Sequence, residues 1–185
     1  MSPVQIYAQR TIDYLEQDLA SYEAVFKDQN LRGKLGVAMI TNATAAIDLF
    51  AWLLYQTLDQ KLTNRDLFKK LVGDARFFTA ADFINEKVLY GIVRCGVVHQ
   101  FYAKDVAIVA FDSEHPFVQQ NGKVAVNALG LYRKTLGGLR KVRDHILGLS
   151  GNELEKLDFK LALRCRLDED ELDGAKVEAE KLPRS

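Results

Sequence analysis

Between Leu31 and Leu58 the chain carries Leu35, Val37, Met39, Ile40, Ile47, Leu49, Phe50, Trp52, Leu53 and Leu54, and this stretch limits the fold more than any other. Its spacing predicts a helix that is apolar nearly all round, and such a helix belongs at the centre of a bundle. Ala38, Ala43, Ala45, Ala46 and Ala51 keep its girth small, so neighbouring helices can approach closely. Its most apolar part, Ala43 to Tyr55, is too short for a bilayer, which needs about 20 residues, and contains Asp48. A carboxylate in such surroundings needs a partner. The first residues, Met1 to Tyr7, have no basic segment followed by an apolar one, so a secretory signal is not expected. A soluble, cytoplasmic protein without a membrane segment is the expectation.

The remaining periodicities place other helices around that centre. Ile6, Ile12, Leu15, Leu19, Tyr22 and Val25 predict an amphipathic helix over about Val4–Lys27. A short helix is expected over Asp66–Leu71, with Asn64 as N-cap and Gly73 as stop. Thr79 is placed to cap a helix from Ala80 to about Tyr102. The period then changes. Val106–Phe111 is short and β-branched, and Phe117–Gln120 and Lys123–Val126 flank Asn121-Gly122, the strongest short hairpin signal. A β-hairpin, or three short strands, is therefore expected at about 106–126. Alone it would be marginal in water, so it must lean on the bundle or on a partner chain. Asn127 is placed to cap a long helix over Leu129–Leu147, weakened by Gly137-Gly138. After an interruption at Gly148–Gly151, a further helix is expected over Glu153–Arg166. The fold class is thus mostly α: one helical domain over 1–166, then a charged tail over 167–185 that cannot bury enough apolar area to order itself.

The segment from Leu89 to Tyr102 holds Arg94 and His99 among residues that are otherwise nearly all apolar. Guanidinium beside imidazole suits metal-free phosphodiester cleavage: the arginine holds charge on phosphoryl oxygens, and the histidine titrates near neutrality and moves the proton. On an ideal helix residues five apart point about 140° away from each other and sit roughly 7.5 Å apart along the axis. The two therefore cannot meet within one straight helix. Either they line a shared cleft, or His99 is a hydrogen-bonded core or helix-end histidine and Arg94 pairs with an acid such as Asp48 or Glu86. A twofold dimer with facing motif helices would place two arginines and two histidines in one groove.

The stretch Arg94-Cys95-Gly96-Val97-Val98-His99, followed by Gln100-Phe101-Tyr102 and closing an apolar helix, resembles the Arg-x4-His motif of the HEPN superfamily, which includes many RNA-cleaving toxins and defence proteins. At the level of element order the resemblance extends over roughly Val4 to Leu147. It implies an antiparallel helical bundle with a small β insertion after the motif helix, a homodimer with a composite site, and an endoribonuclease that needs no metal or cofactor. In that site His99 is the base toward a 2′-hydroxyl and Arg94 steadies the phosphoryl charge. Tyr102, on nearly the same face as His99, is placed to support it or to pack in the core. Asp48 is a candidate to orient either residue. An antitoxin partner is a further implication. Active nucleases of the family often carry Asn, Asp or His directly after the arginine, where this chain has Cys95. That difference favours the other reading, a non-catalytic HEPN-like module that binds RNA, a nucleotide or a protein.

Twenty-five basic residues equal 25 acidic ones, so a polyanion must be held by a local patch. Arg133 with Arg140, and Lys134 with Lys141, form two basic rows on the last long helix that can track a phosphate backbone or simply be a solvated face. His115 and His145 have ordinary explanations in a turn and at a helix end. Cys95 and Cys165 stand far apart, with no CxxC or His/Cys spacing for zinc, which points to a reducing compartment. No phosphate-binding glycine loop, Gly-x-Ser-x-Gly elbow or HExxH motif occurs.

Overall fold

The apolar stretch forms the central helix of a bundle. In this computed structural model residues 1–26, 35–57, 62–79, 89–90, 107–109, 114–120 and 123–179 are described. They form α1 (Pro3–Phe26), α2 (Gly36–Tyr55), α3 (Asn64–Val72), β1 (Ala107–Val109), β2 (Phe117–Gln120), β3 (Lys123–Asn127), α4 (Ala128–Leu147) and α5 (Gly151–Ala179). Only Ala38 and Ala45 in α2 are exposed, seven residues apart on one narrow strip. The rest of α2 packs chiefly against α4 and α3, with Ile40, Ile47, Phe50 and Leu53 fully buried. The 20-residue α2 is long and apolar enough to cross a membrane by length and composition, beyond the shorter run from Ala43, while half of that stretch is buried inside the fold.

The outer helices follow the same logic with one shift of face. Val4, Ala8, Ile12 and Leu15 form the inner row of α1, with Leu19 and Tyr22 partly buried behind them. Ile6, which the spacing placed with this row, is 40% exposed on another face. Gln5 is buried at the end of α1, where its Nε2 donates to the Leu147 carbonyl at 3.1 Å and so satisfies the last turn of α4. The Asp158 carboxylate of α5 accepts from the Val4 N–H at 2.7 Å and does the same for the first turn of α1. Farther along α5, Lys160 donates to the Leu53 carbonyl at 3.1 Å, and Arg164 lies over the Trp52 ring at 5.1 Å.

Two caps differ from expectation by small margins. Thr63, not Asn64, caps α3: its hydroxyl accepts from the Asp66 N–H and donates to the Asp66 carboxylate. A hydroxyl one residue earlier reaches the free N–H groups, whereas Asn64 is already inside the helix. Gly73 does end α3. Asn127 occupies the N-cap position of α4 but its side chain makes no cap bond; its Nδ2 donates instead to the His115 carbonyl at 2.9 Å. That bond ties the entry of β2 to the start of α4.

The β insertion is a three-stranded sheet in the order β1-β3-β2. Gln120 pairs with Lys123 and Phe117 with Val126, so β2 and β3 are antiparallel across the two-residue link 121–122 anticipated from Asn121-Gly122, whose own placement lies outside the described residues. β1 runs parallel to β3, with Ile108 opposite Val126. Ile108, Val126 and Phe117 therefore share one face, and all three pack against the helical core. Gly36 makes the docking possible, since a Cβ there would collide with Ile108. The sheet leans on its own bundle.

The last helix is longer than the sequence suggests. α5 continues to Ala179, through the charged stretch expected to be a mobile tail from Leu167. Glu, Lys, Leu and Ala are strong helix formers, and Arg166 with Asp170, and Asp173 with Lys176, stand at the four- and three-residue spacings that support an isolated helix. Low apolar content did not prevent helix formation.

Candidate functional site

The residues singled out in the sequence fall into two groups. Arg94, Cys95, His99, Tyr102 and Glu86, and the helix expected over Ala80–Tyr102, lie outside the described residues. The flanks of the motif are described. Leu89 is fully buried in the core and stands with Tyr90 in a wide π-helical turn. The Tyr90 ring meets Phe68 of α3 edge-on at 5.2 Å. On the other side, Ile108 of β1 sits against Gly36 at the start of α2. The described residues that flank the motif in sequence thus contact α3 before it and the head of α2 after it. Asp48 is half-buried on α2, with Oδ1 shielded from solvent.

The four basic residues of α4 are brought together. Arg133, Lys134, Arg140 and Lys141 line one hollow of about 280 Å³, together with Gly137, Gly138 and Glu114. The arginine row faces α1. Arg133 Nη2 lies 2.7 Å from Glu23 Oε1, and Arg140 Nε lies 2.8 Å from Glu16 Oε1. Both acids and both arginines are seven residues apart, so the two pairs repeat at one antiparallel register. The arginines are therefore partly committed to α1, and do not form the freely solvated row that spacing alone allows. Such partly exposed pairs contribute little stability, about 0–1 kcal/mol each, but they fix where the guanidinium groups stand. On the opposite flank Lys141 is exposed and has no acidic partner among the described residues.

Two glycines in the hollow have different causes. A Cβ on Gly138 would run into the Phe78 ring, so Gly138 exists to let that ring lie on the helix. A Cβ on Gly137 meets nothing within 4 Å. Sequence reasoning noted the pair as a weakness in the helix and missed the role of Gly138, and it missed Glu114, which precedes β2 and stands far from α4 in its periodicity.

A second charged cluster joins α2 to the turn after α3. Tyr55 donates to Asp74 Oδ2, and Arg76 Nη2 lies 2.6 Å from the same oxygen. The Arg76 bond, aided by the Tyr55 hydroxyl, holds the Asp74 carboxyl well below the usual carboxylate range, while burial and the adjacent carboxylate push the Tyr55 hydroxyl up. The Asp74 side chain is 16% exposed and closes the turn that positions Phe77 and Phe78, whose N–H groups donate to its carbonyl. Its depressed pKa contributes stability that is present above the unfolded-state value, about pH 4, and is lost as pH falls toward the folded-state value. Urea unfolding at pH 7, 4 and 3 should show this loss, and Asp74→Asn should flatten it; an unchanged slope in the variant would remove Asp74 as its source.

His145, at the end of α4, sits with its ring 5.5 Å from that of Phe77, and His115 precedes β2. Cys165 is exposed on α5. Among the described residues no group of three His, Cys, Asp or Glu side chains could hold a metal ion. Comparison with protein-family models, with curated proteins and with solved structures gave no match. The site's chemistry is read from its own residues.

Proposed function

We propose that this protein is a HEPN-like, metal-independent endoribonuclease of a toxin or defence type, acting in the cytoplasm. His99 takes the proton of a ribose 2′-hydroxyl. The 2′-oxygen then attacks the adjacent phosphorus, and the bond to the 5′-oxygen breaks. The products are a 2′,3′-cyclic phosphate and a 5′-hydroxyl, which receives a proton as it leaves. Arg94 stabilises the charge that develops on the non-bridging oxygens. The observation that supports this reading is the element order: a helical bundle whose β insertion directly follows the Arg94–His99 segment and precedes a closing helix, as the resemblance implies. The test is incubation of the purified protein with total RNA in EDTA, beside an Arg94→Ala/His99→Ala double variant.

A composite cleft needs two copies, so the reading includes a homodimer that brings two Arg94 and two His99 side chains to one groove. Sedimentation at micromolar concentration should give twice the chain mass of 20.9 kDa. A clean monomer would count against both the dimer and the shared cleft. The alternative, a non-catalytic module that binds RNA, a nucleotide or a partner such as an antitoxin, is favoured by Cys95 beside Arg94 and by the zero formal net charge. RNA binding without cleavage would select it.

A further inference from the structure

Gly137 stands in the middle of α4, where glycine weakens a helix by about 1 kcal/mol relative to alanine, and nothing in the packing requires it. No side chain approaches it, and its backbone is ordinary helix. It does occupy a singular position on the basic face. On an ideal helix Arg133, Lys134, Arg140 and Lys141 all project within about 60° of it, two a turn before and two a turn after. The missing side chain leaves open the hollow that these four residues surround. Any longer side chain at 137 would stand in the middle of it.

The electrostatics of the rim point the same way. The four cations, two adjacent pairs two turns apart on one face, repel one another. Glu23 and Glu16 relieve part of this on the α1 side. On the other side Lys141 has no acidic partner among the described residues, and Arg140 uses only its Nε toward Glu16, leaving both Nη groups without a described partner. An anion in the hollow would be drawn to Arg140 and Lys141. A phosphate group suits it, because guanidinium and ammonium donors together can serve several of its oxygens. Glu114 also lines the hollow and offsets part of the positive charge, which limits the hollow to a single anion.

We propose that this hollow is a seat for one backbone phosphate of the RNA strand. The assignment rests on RNA being the substrate class of the proposed reaction, and it gives that strand a fixed point on α4 away from the Arg94–His99 segment in sequence. Arg140 and Lys141 contact the phosphate, Glu16 and Glu23 hold the arginines in place, and Gly137 keeps the space empty.

The test measures binding of a 2′-O-methyl oligoribonucleotide by fluorescence anisotropy. This strand has no free 2′-hydroxyl, so it reports binding apart from cleavage. Gly137→Glu should weaken binding by about tenfold or more, and Arg140→Ala/Lys141→Ala should lower the slope of log K against log salt by about 1, as for a lost phosphate contact. Gly137→Ala should keep binding within about threefold and raise the melting temperature, because its methyl meets nothing and the helix gains. Lys156→Glu on α5, exposed and outside the hollow, makes a larger change in net charge than Gly137→Glu does and should have a smaller effect. Thermal melts establish that each variant is folded. The proposal is overturned if wild-type protein does not bind the strand, if Gly137→Glu binds as wild type does, or if Lys156→Glu is equally damaging. It is also overturned if inorganic phosphate binds in the hollow without competing with the strand. Strand binding that depends on Gly137 in a protein that cleaves no RNA supports the seat while removing the nuclease reading.

Discussion

Replacing His99 with alanine should lower RNA cleavage by about 10²–10⁴-fold, the usual loss when a general acid or base is removed. The circular dichroism spectrum and the melting curve should stay those of the wild type. Arg94→Lys should fail as well, since a point ammonium lacks the planar fork that spans two phosphoryl oxygens. Because the two residues serve one transition state, the double variant should be little worse than the poorer single variant. EDTA should have no effect, and the product should end in a cyclic phosphate. The range that matters is about pH 6 to 8, where an ordinary imidazole changes charge. Cleavage by the wild type no greater than by the double variant throughout that range would falsify the nuclease reading and leave the binding module in its place.

The parts of the fold that were legible are those in which one physical signal dominates. The apolar girth of the second helix placed it at the centre before any contact was known, and Ala38 and Ala45 as its only exposed residues bear this out. The two-residue Asn121-Gly122 link set the β2–β3 register, since shifting it by one residue would turn Val126 away from the core. What was not legible depended on distant partners. The parallel pairing of β1 with β3 comes from a docking face built by Ile108, Val126 and Phe117 against α2 and α4. Asn127 gave up its cap for a carbonyl twelve residues earlier. Arg133 and Arg140 read as a free basic row because the glutamates that receive them lie on α1, more than 100 residues away in sequence. For the candidate site, the sequence identified the four basic positions, whereas the hollow between them needed the structure. The Arg94–His99 pair remains a sequence-based proposal, and its flanks at Leu89 and Ile108 are what the fold adds.

Phe78→Ala should destabilise the protein by about 3–5 kcal/mol, the range for truncating a buried phenylalanine, and it should reverse the sign of a second substitution. Phe78 is 2% exposed, and its ring lies on the bare backbone of Gly138. In the wild type Gly138→Ala forces a methyl into that ring. Overpacking of this kind costs about 1–3 kcal/mol, against a helix-propensity gain of about 1 kcal/mol for removing a mid-helix glycine. The ring is confined in the core beside Phe77, so little relaxation is available and the net effect is a loss. With Phe78 already truncated the obstacle is gone. The same Gly138→Ala should then be neutral or stabilising, and the double-mutant cycle should show a coupling of about 0.5–3 kcal/mol. Gly137→Ala, one residue away but without a neighbour at its Cβ, should stabilise in both backgrounds and show no coupling to Phe78. Urea unfolding of the six proteins measures all of these values. Equal responses at 137 and 138 would mean that the ring does not rest on Gly138, and that helix propensity alone governs both positions.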